Sequence, residues 1–321
     1  MNWRYNAKKL VYLISGALFR NRRLRGYIFN QCSRALIGQR ELDKKMIDHT
    51  AGELKVVHIE TRTKCNGRCE FCPAAVQYKT RSDSLMPDDL FRKIIYDLRN
   101  MDYSYRISLY CNNEPLLDKR IFDFVAFAKS KCNKALIELK TNGILLNITH
   151  IESLIEAGLD SLYVNDYHTN PGVSDRLEKL CRSFQGKSGN TSIVYSNRMF
   201  NEISGKNNRG GSNPSMDSLK KSMDAFCYRP FEMLTITTDG RVSVCSNDVF
   251  FRNAIGCVNE HTSLADLWQG EKINQLRKSL LEHRRDAAPC CNDCDYPGLD
   301  IGHQYSSIYR YILPFMTDYR L

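Results

Sequence analysis

The chain has 321 residues, enough for one large domain and a smaller one, and 42% of its side chains are hydrophobic, enough for real cores. Its net charge of +10 is concentrated in residues 1–45, where eleven Lys and Arg face only Glu41 and Asp43, and no DNA- or RNA-recognition module accompanies that charge, which argues against nucleic-acid binding. The apolar run 10–19 is too short to span a bilayer and lacks a small-residue cleavage site, so the 13 cysteines are read in a reducing cytoplasm, where clustered thiols mean metal or catalysis.

Residues 1–53 read as a basic helical extension carrying Trp3, Tyr5, Tyr12, Phe19, Tyr27 and Phe29. The favoured reading is that it packs on the following domain with its basic face in water; the alternatives are a peripheral contact with an anionic membrane and a cover over a partner or phosphorylated substrate. From residue 54 strand-like and helix-like segments alternate, the pattern of a parallel α/β fold. Strands are expected at 54–60, 105–110, 134–140, 160–165 and 191–196, and helices at 87–100, 118–130, 148–157 and 174–185, where apolar residues recur every three or four positions. Five strands and four helices over 54–217 predict an open, partial TIM-like barrel. The stretch 202–217 is rich in Gly, Asn and Ser and reads as a linker or loop. Beyond it, 231–238 and 241–246 flank Asp239-Gly240, a hairpin signal, and a helix at 263–281 leads to Cys290-Cys291-Asn292-Asp293-Cys294. A small cysteine-rich domain with a β-hairpin is therefore expected at 218–300, and a short helical tail at 301–321.

Two cysteine sets carry the chemistry. Cys65, Cys69 and Cys72 are spaced C-x3-C-x2-C directly after the first strand, at the end where barrel folds keep their active sites. Three thiolates can hold three irons of a [4Fe–4S] cube and leave the fourth open. The alternative is a zinc site with His58 as fourth ligand, awkward for a residue inside a strand. Cys227, Cys245, Cys291 and Cys294 form a C-x17-C … C-x2-C set that can close completely around one centre, zinc or cluster. Cys291 suits the two-residue gap better than Cys290. Cys32, Cys111, Cys132, Cys181 and Cys257 read as small buried hydrophobes.

With Phe71 before its last cysteine, the first motif resembles the signature of the radical S-adenosylmethionine (SAM) superfamily. The resemblance implies that SAM chelates the open iron, and that one electron cleaves its sulfonium to give a 5′-deoxyadenosyl radical that abstracts hydrogen from a substrate. Asn112-Asn113-Glu114-Pro115 stands where the family has a Gly-Gly-Glu-Pro-like motif, which implies that Asn113 and Glu114 hold the methionine amino group; the plainer and less favoured reading of Glu114 is a helix-capping or surface glutamate. Thr141-Asn142-Gly143 resembles a turn beside the SAM ribose or methionine. Asn165 would face the same cavity, while Asp166 and His168 either touch substrate or are simply solvated. Asn208-Arg209-Gly210-Gly211 resembles the family's Asn-Arg-Ala-Gly motif, so Arg209 would bind SAM carboxylate, a substrate oxygen or a phosphate unless it is an ordinary linker arginine.

The second cysteine set resembles the SPASM/twitch extension of the same superfamily. Full SPASM domains carry seven cysteines; here Asp300 stands six positions after Cys294 and no cysteine follows, which implies the shorter twitch form with one auxiliary [4Fe–4S] cluster suited to electron transfer. The whole is similar to the aminocyclitol (2-deoxy-scyllo-inosamine) dehydrogenases. That similarity implies an oxidoreductase acting on a secondary alcohol of a small sugar or cyclitol-like substrate, with the auxiliary cluster as electron acceptor and an external one-electron reductase such as flavodoxin or ferredoxin. Two alternatives stay open: a radical SAM peptide or protein maturase, and a non-catalytic metal-binding protein docked through its basic N-terminus.

Overall fold

A computed structural model describes residues 53–69, 71–73, 82–168, 170–197, 208–213, 216, 219, 221–224 and 227–296. The expected N-terminal extension, the C-terminal tail, Cys32, Asp300 and most of the 202–217 stretch lie outside the described residues. One eight-stranded sheet organises the rest, in the order β5-β4-β3-β2-β1-β6-β7-β8. Its strands are β1 (Val56–Ile59), β2 (Arg106–Ser108), β3 (Leu136–Thr141), β4 (Ser161–Asp166), β5 (Ser192–Asn197), β6 (Met233–Ile236), β7 (Arg241–Ser243) and β8 (Ala254–Cys257).

The first five strands alternate with helices α1 (Asp88–Asn100), α2 (Ile121–Lys131), α3 (Ile148–Glu156) and α4 (Pro171–Ser183), as the periodicity predicts. Helix α1 starts with Asp88 and Asp89 and ends with Arg99, complementing its dipole. The Asn147 and Asn170 side chains accept the His150 and Gly172 N–H groups and so cap α3 and α4, the latter with Pro at its first position. Alternation along each strand sends Val57, Ile59, Ile107, Leu109, Ile137, Leu139, Leu162 and Val164 into one core with Phe91, Ile94, Leu98, Phe124, Ile151, Leu154 and Leu177 of the helices. The opposite face is polar. There Glu138 accepts from Ser108 Oγ at 2.9 Å and pairs with Arg106 at 3.3 Å and Lys140 at 3.5 Å.

The sheet departs from the sequence expectation at its other edge. Strand β6, expected only as one arm of a hairpin, runs parallel to β1 in the register Val56↔Met233 to Ile59↔Ile236, giving six parallel strands rather than five. All four of its residues are buried, and it satisfies a β1 edge that would otherwise present unpaired backbone groups. Lys55, paired with Glu232 at 3.1 Å, holds the start of the pairing. Strands β7 and β8 continue antiparallel, β8 unforeseen. The single helix expected at 263–281 is two, α5 (Leu264–Gln269) and α6 (Glu271–Leu281), because Gly270 is extended between them. A capping box of Ser263 and Asp266 starts α5, and the Leu264 N–H donates to buried Asp97 of α1 at 3.0 Å, tying the second region to the first. A last turn, α7 (Pro289–Asn292), carries Cys290 and Cys291. No helix among the described residues is long and apolar enough to cross a membrane.

Candidate active site and metal centres

The loop after β1 carries Cys65, Cys69 and Cys72, all half-buried. Its stem is closed by Arg62, which pairs with Asp83 at 2.6 Å and donates to Leu117 O at 2.6 Å. The Gly67 N–H donates to Cys65 Sγ at 3.3 Å, and a Cβ at Gly67 would lie 3.4 Å from Cys65 Sγ and 3.8 Å from Cys69 Sγ. Two thiols thus converge beside a bare stretch of backbone, a cradle a larger residue would fill. Phe71 packs on Tyr167 beyond β4, ring centres 5.3 Å apart. His58 lies in β1 edge-on to Tyr110, buried below the loop.

The 112–114 segment is bound to that loop, since the Glu114 N–H donates to Lys64 O at 2.9 Å. Glu114 is 1% exposed; its carboxylate accepts from Thr141 Oγ1 at 2.7 Å, the Asn142 N–H at 2.8 Å and the Leu116 N–H at 3.2 Å. It therefore caps a short 3₁₀ turn and also fixes the Thr141-Asn142-Gly143 turn. Asn142 Nδ2 in turn donates to Asn66 Oδ1 at 2.8 Å, so three segments close on one another around the cysteine loop. Asn113 Oδ1 accepts the Cys111 N–H at 2.9 Å, while its Nδ2 is buried with no partner among the described residues, a donor left over for an acceptor brought by a ligand. Gly143 needs its φ of +76°, and a Cβ there would meet Leu177 at 2.9 Å.

Arg209, at φ +49°, joins the two regions: its Nη2 donates to Asn112 Oδ1 at 2.5 Å and to Ser246 O at 2.9 Å, beside Cys245. Asn208 is fully buried and clamps the last cysteine loop, donating to Asp293 O at 2.6 Å and accepting the Asp295 N–H at 3.1 Å.

The second cysteine set rings a small cavity lined by Cys227, Cys245, Cys290, Cys291 and Cys294 with Arg229 and Arg285. Cys245 Sγ accepts from Arg229 Nη1 at 3.4 Å and the Asn247 N–H at 3.3 Å, Cys291 Sγ from Asn253 Nδ2 at 3.3 Å, and Cys294 Sγ from the Tyr296 N–H at 3.4 Å. Burial, then repulsion from neighbouring thiolates, pushes the Cys291 thiol far up and the Cys294 thiol up to about 11. Such thiols ionise together only around a cationic centre. Among the described residues no three His, Cys, Asp or Glu side chains converge on a single metal ion. A space walled by separated thiols fits a cluster better than one zinc ion.

The structure brings Cys65, Cys69, Cys72, Phe71, Asn113, Glu114, Thr141 and Asn142 together at the carboxyl ends of β1–β3, and Asn165 lies at the end of β4 beside them in the sheet. Asp166 is not solvated: it is fully buried, accepting the Tyr195 hydroxyl at 2.8 Å and the His168 N–H at 2.8 Å, so it holds its loop. Cys132 and Cys181 are buried as expected, but Cys111 and Cys257 are only half-buried, Cys257 because it sits on edge strand β8. Sequence reasoning named Asn208 within its motif but gave it no role, and it missed Arg229, Asn253 and Arg285. Only Asn208, beside Arg209, and Arg229, two residues after Cys227, had a nearby motif to signal them.

Residues 59–182 match the radical SAM superfamily, and residues 227–295 match SPASM, an iron–sulfur cluster-binding domain. The S-adenosyl-L-methionine-dependent 2-deoxy-scyllo-inosamine dehydrogenase of Niallia circulans is 25% identical over 257 residues, covering 79% of this chain and 97% of that protein. A tungsten-containing aldehyde ferredoxin oxidoreductase cofactor-modifying protein of Pyrococcus furiosus is 30% identical over 110 residues, 34% of this chain and 30% of that one. Among solved structures, BtrN in complex with AdoMet and 2-DOIA matches with a TM-score of 0.66 at 24% identity, over 78% of this chain and 97% of that chain. A cysteine loop at the strand ends, a second set of thiols around one cavity, a partial barrel and these matches agree: the chain belongs to the radical SAM superfamily and carries a SPASM domain, with SAM and [4Fe–4S] clusters as its cofactors.

Proposed function

We propose that this radical SAM oxidoreductase oxidises a secondary alcohol of a small sugar or aminocyclitol-like substrate. The observation that carries the reading is the match to a dehydrogenase over 97% of that protein's length, barrel and cysteine-rich region together. When bound, the cofactors supply a 5′-deoxyadenosyl radical at the barrel and a one-electron acceptor beside it.

The chain's own residues take the following parts in this reading. Cys65, Cys69 and Cys72 hold the SAM-binding cluster, and Cys227, Cys245, Cys291 and Cys294 hold the auxiliary one. Glu114 orients the Thr141-Asn142 turn and, with Asn113 and Asn165, receives SAM, while Phe71 and Tyr167 wall the loop from the side. Arg209 binds a carboxylate or substrate oxygen at the junction of the two regions. The polar face of the sheet suits a hydroxylated small molecule: the Lys140 ammonium lies 5.1 Å and 4.9 Å from the ring centres of Tyr110 and Tyr163. A flavodoxin or ferredoxin supplies the initiating electron, and so many reduced thiols suit the cytoplasm.

The test is an anaerobic incubation of reduced, cluster-loaded protein with SAM and 2-deoxy-scyllo-inosamine or related cyclitols deuterated at the carbinol carbon. Ketone and 5′-deoxyadenosine should form in equal amounts, with deuterium moved into the nucleoside. Nucleoside without any carbonyl product across the panel would discard the dehydrogenase reading.

A further inference from the structure

We propose that Arg229 and Arg285 set the reduction potential of the auxiliary cluster, raising it so that the cluster can take the electron released by the substrate. The proposal rests on the dehydrogenase reading above. In that reaction the carbinol carbon loses a hydrogen atom to the 5′-deoxyadenosyl radical, the hydroxyl loses a proton to solvent, and one remaining electron reduces the oxidised auxiliary cluster.

Both guanidiniums line the cavity ringed by the second cysteine set. Arg285 is 2% exposed and Arg229 9%. Arg229 donates to Cys245 Sγ and, at 3.2 Å, to Ser246 Oγ, and its guanidinium stacks 4.1 Å from the Tyr296 ring centre. Arg285 Nη1 donates to Tyr296 O at 2.5 Å, which fixes it against the same aromatic residue. Burying two permanent cations is costly without nearby negative charge. Around the cavity they face the thiols of the second set and the group those thiols hold.

A [4Fe–4S] centre held by four thiolates is anionic and gains a further negative charge on reduction. Fixed cations in a water-poor site favour the more negative state, so they move the couple toward reduction. The N–H donors to Cys245, Cys291 and Cys294 act in the same sense, but only the arginines bring full charges. Arg229 and Arg285 are thus positioning residues for electron acceptance, acting through the cluster rather than on the substrate.

The test uses the full-length chain with Cys65, Cys69 and Cys72 replaced by Ala, so that one cluster gives the signal, titrated anaerobically and followed by EPR. R229Q and R285Q are each expected to disfavour reduction tenfold or more, about 59 mV for a one-electron couple, with R229K and R285K recovering part of the shift. Unchanged midpoints in both Gln variants would overturn the proposal. If R285Q fails to hold iron, R229Q at the stacked rim decides alone, by the same criterion. The titration needs neither SAM nor substrate. A shifted midpoint in an enzyme that oxidises no alcohol would discard the dehydrogenase reading, whereas unshifted midpoints in one that does would discard the tuning alone.

Discussion

Glu114 sits at the centre of the SAM side of the site, and burial lifts its carboxyl from 4.5 to about 7, against the pull of the Asn142 N–H, the Thr141 hydroxyl and the Leu116 N–H. In the unfolded chain the same group ionises near 4.5. Between these values the folded, metal-free protein holds a proton that the unfolded chain has released, so stability falls as pH rises through this window. The difference corresponds to about 3 kcal/mol once pH exceeds 7. E114Q removes the titration and also leaves the Asn142 N–H facing an amide, so it is expected to melt lower than the parent at pH 5. Its melting temperature should then fall less steeply between pH 5 and 8. Parallel melting curves for the two metal-free proteins over that range would show that the carboxyl is not shifted as described.

At the scale of elements, the Asn208-Arg209-Gly210-Gly211 turn is a wedge between barrel and cysteine-rich region. Gly210 has φ +62°, and a Cβ there would stand 2.4 Å from Cys290 Sγ and 3.0 Å from Cys290 O. G210A is therefore expected to displace α7 and release auxiliary iron, with the left-handed backbone alone costing about 1 kcal/mol. The double variant G210A/C290A should regain part of that iron because the thiol contact is gone, while C290A alone keeps all of it if Cys291 is the ligand. Loss of iron in C290A would reverse that assignment. Much of this arrangement is legible in sequence because its signals are local: apolar runs mark β1–β5, apolar spacing of three and four marks α1–α4, and the cysteine spacings mark both thiol sets. The parallel pairing of β6 with β1 is not, since Met233–Ile236 reads as one arm of a hairpin and its partner lies about 180 residues earlier. The break at Gly270 hides because apolar spacing continues across it, and Arg285 hides because nothing local distinguishes a buried guanidinium from a surface one.

For the whole molecule, one sheet places both thiol sets. Strand β1 delivers the Cys65 loop and β7, reached through β6, delivers Cys245; β1 and β6 are neighbours locked further by the Thr237 hydroxyl donating to Glu60 at 3.1 Å. Arg209 adds a bridge from Asn112, next to Glu114, to Ser246, next to Cys245. Two separate centres should load about eight irons, and the Cys65/Cys69/Cys72 triple-alanine variant about four, with SAM cleavage abolished. Alanine at Cys291 or Cys294 acts on the other centre, so some 5′-deoxyadenosine should still form while net alcohol oxidation stops. R209A should keep both centres loaded, because Arg209 is not a thiol and Asn208 still clamps the 293–295 loop, but it removes the only side chain described that hydrogen-bonds both Asn112 and Ser246. Its expected signature is uncoupling, with more 5′-deoxyadenosine formed per ketone than in the parent. Equal coupling in R209A would mean that the two regions are held in working register by the β1–β6 pairing alone. Normal ketone formation in the Cys291 and Cys294 variants would mean that the second centre takes no electron from the substrate, and would turn the chain toward a redox-neutral radical reaction.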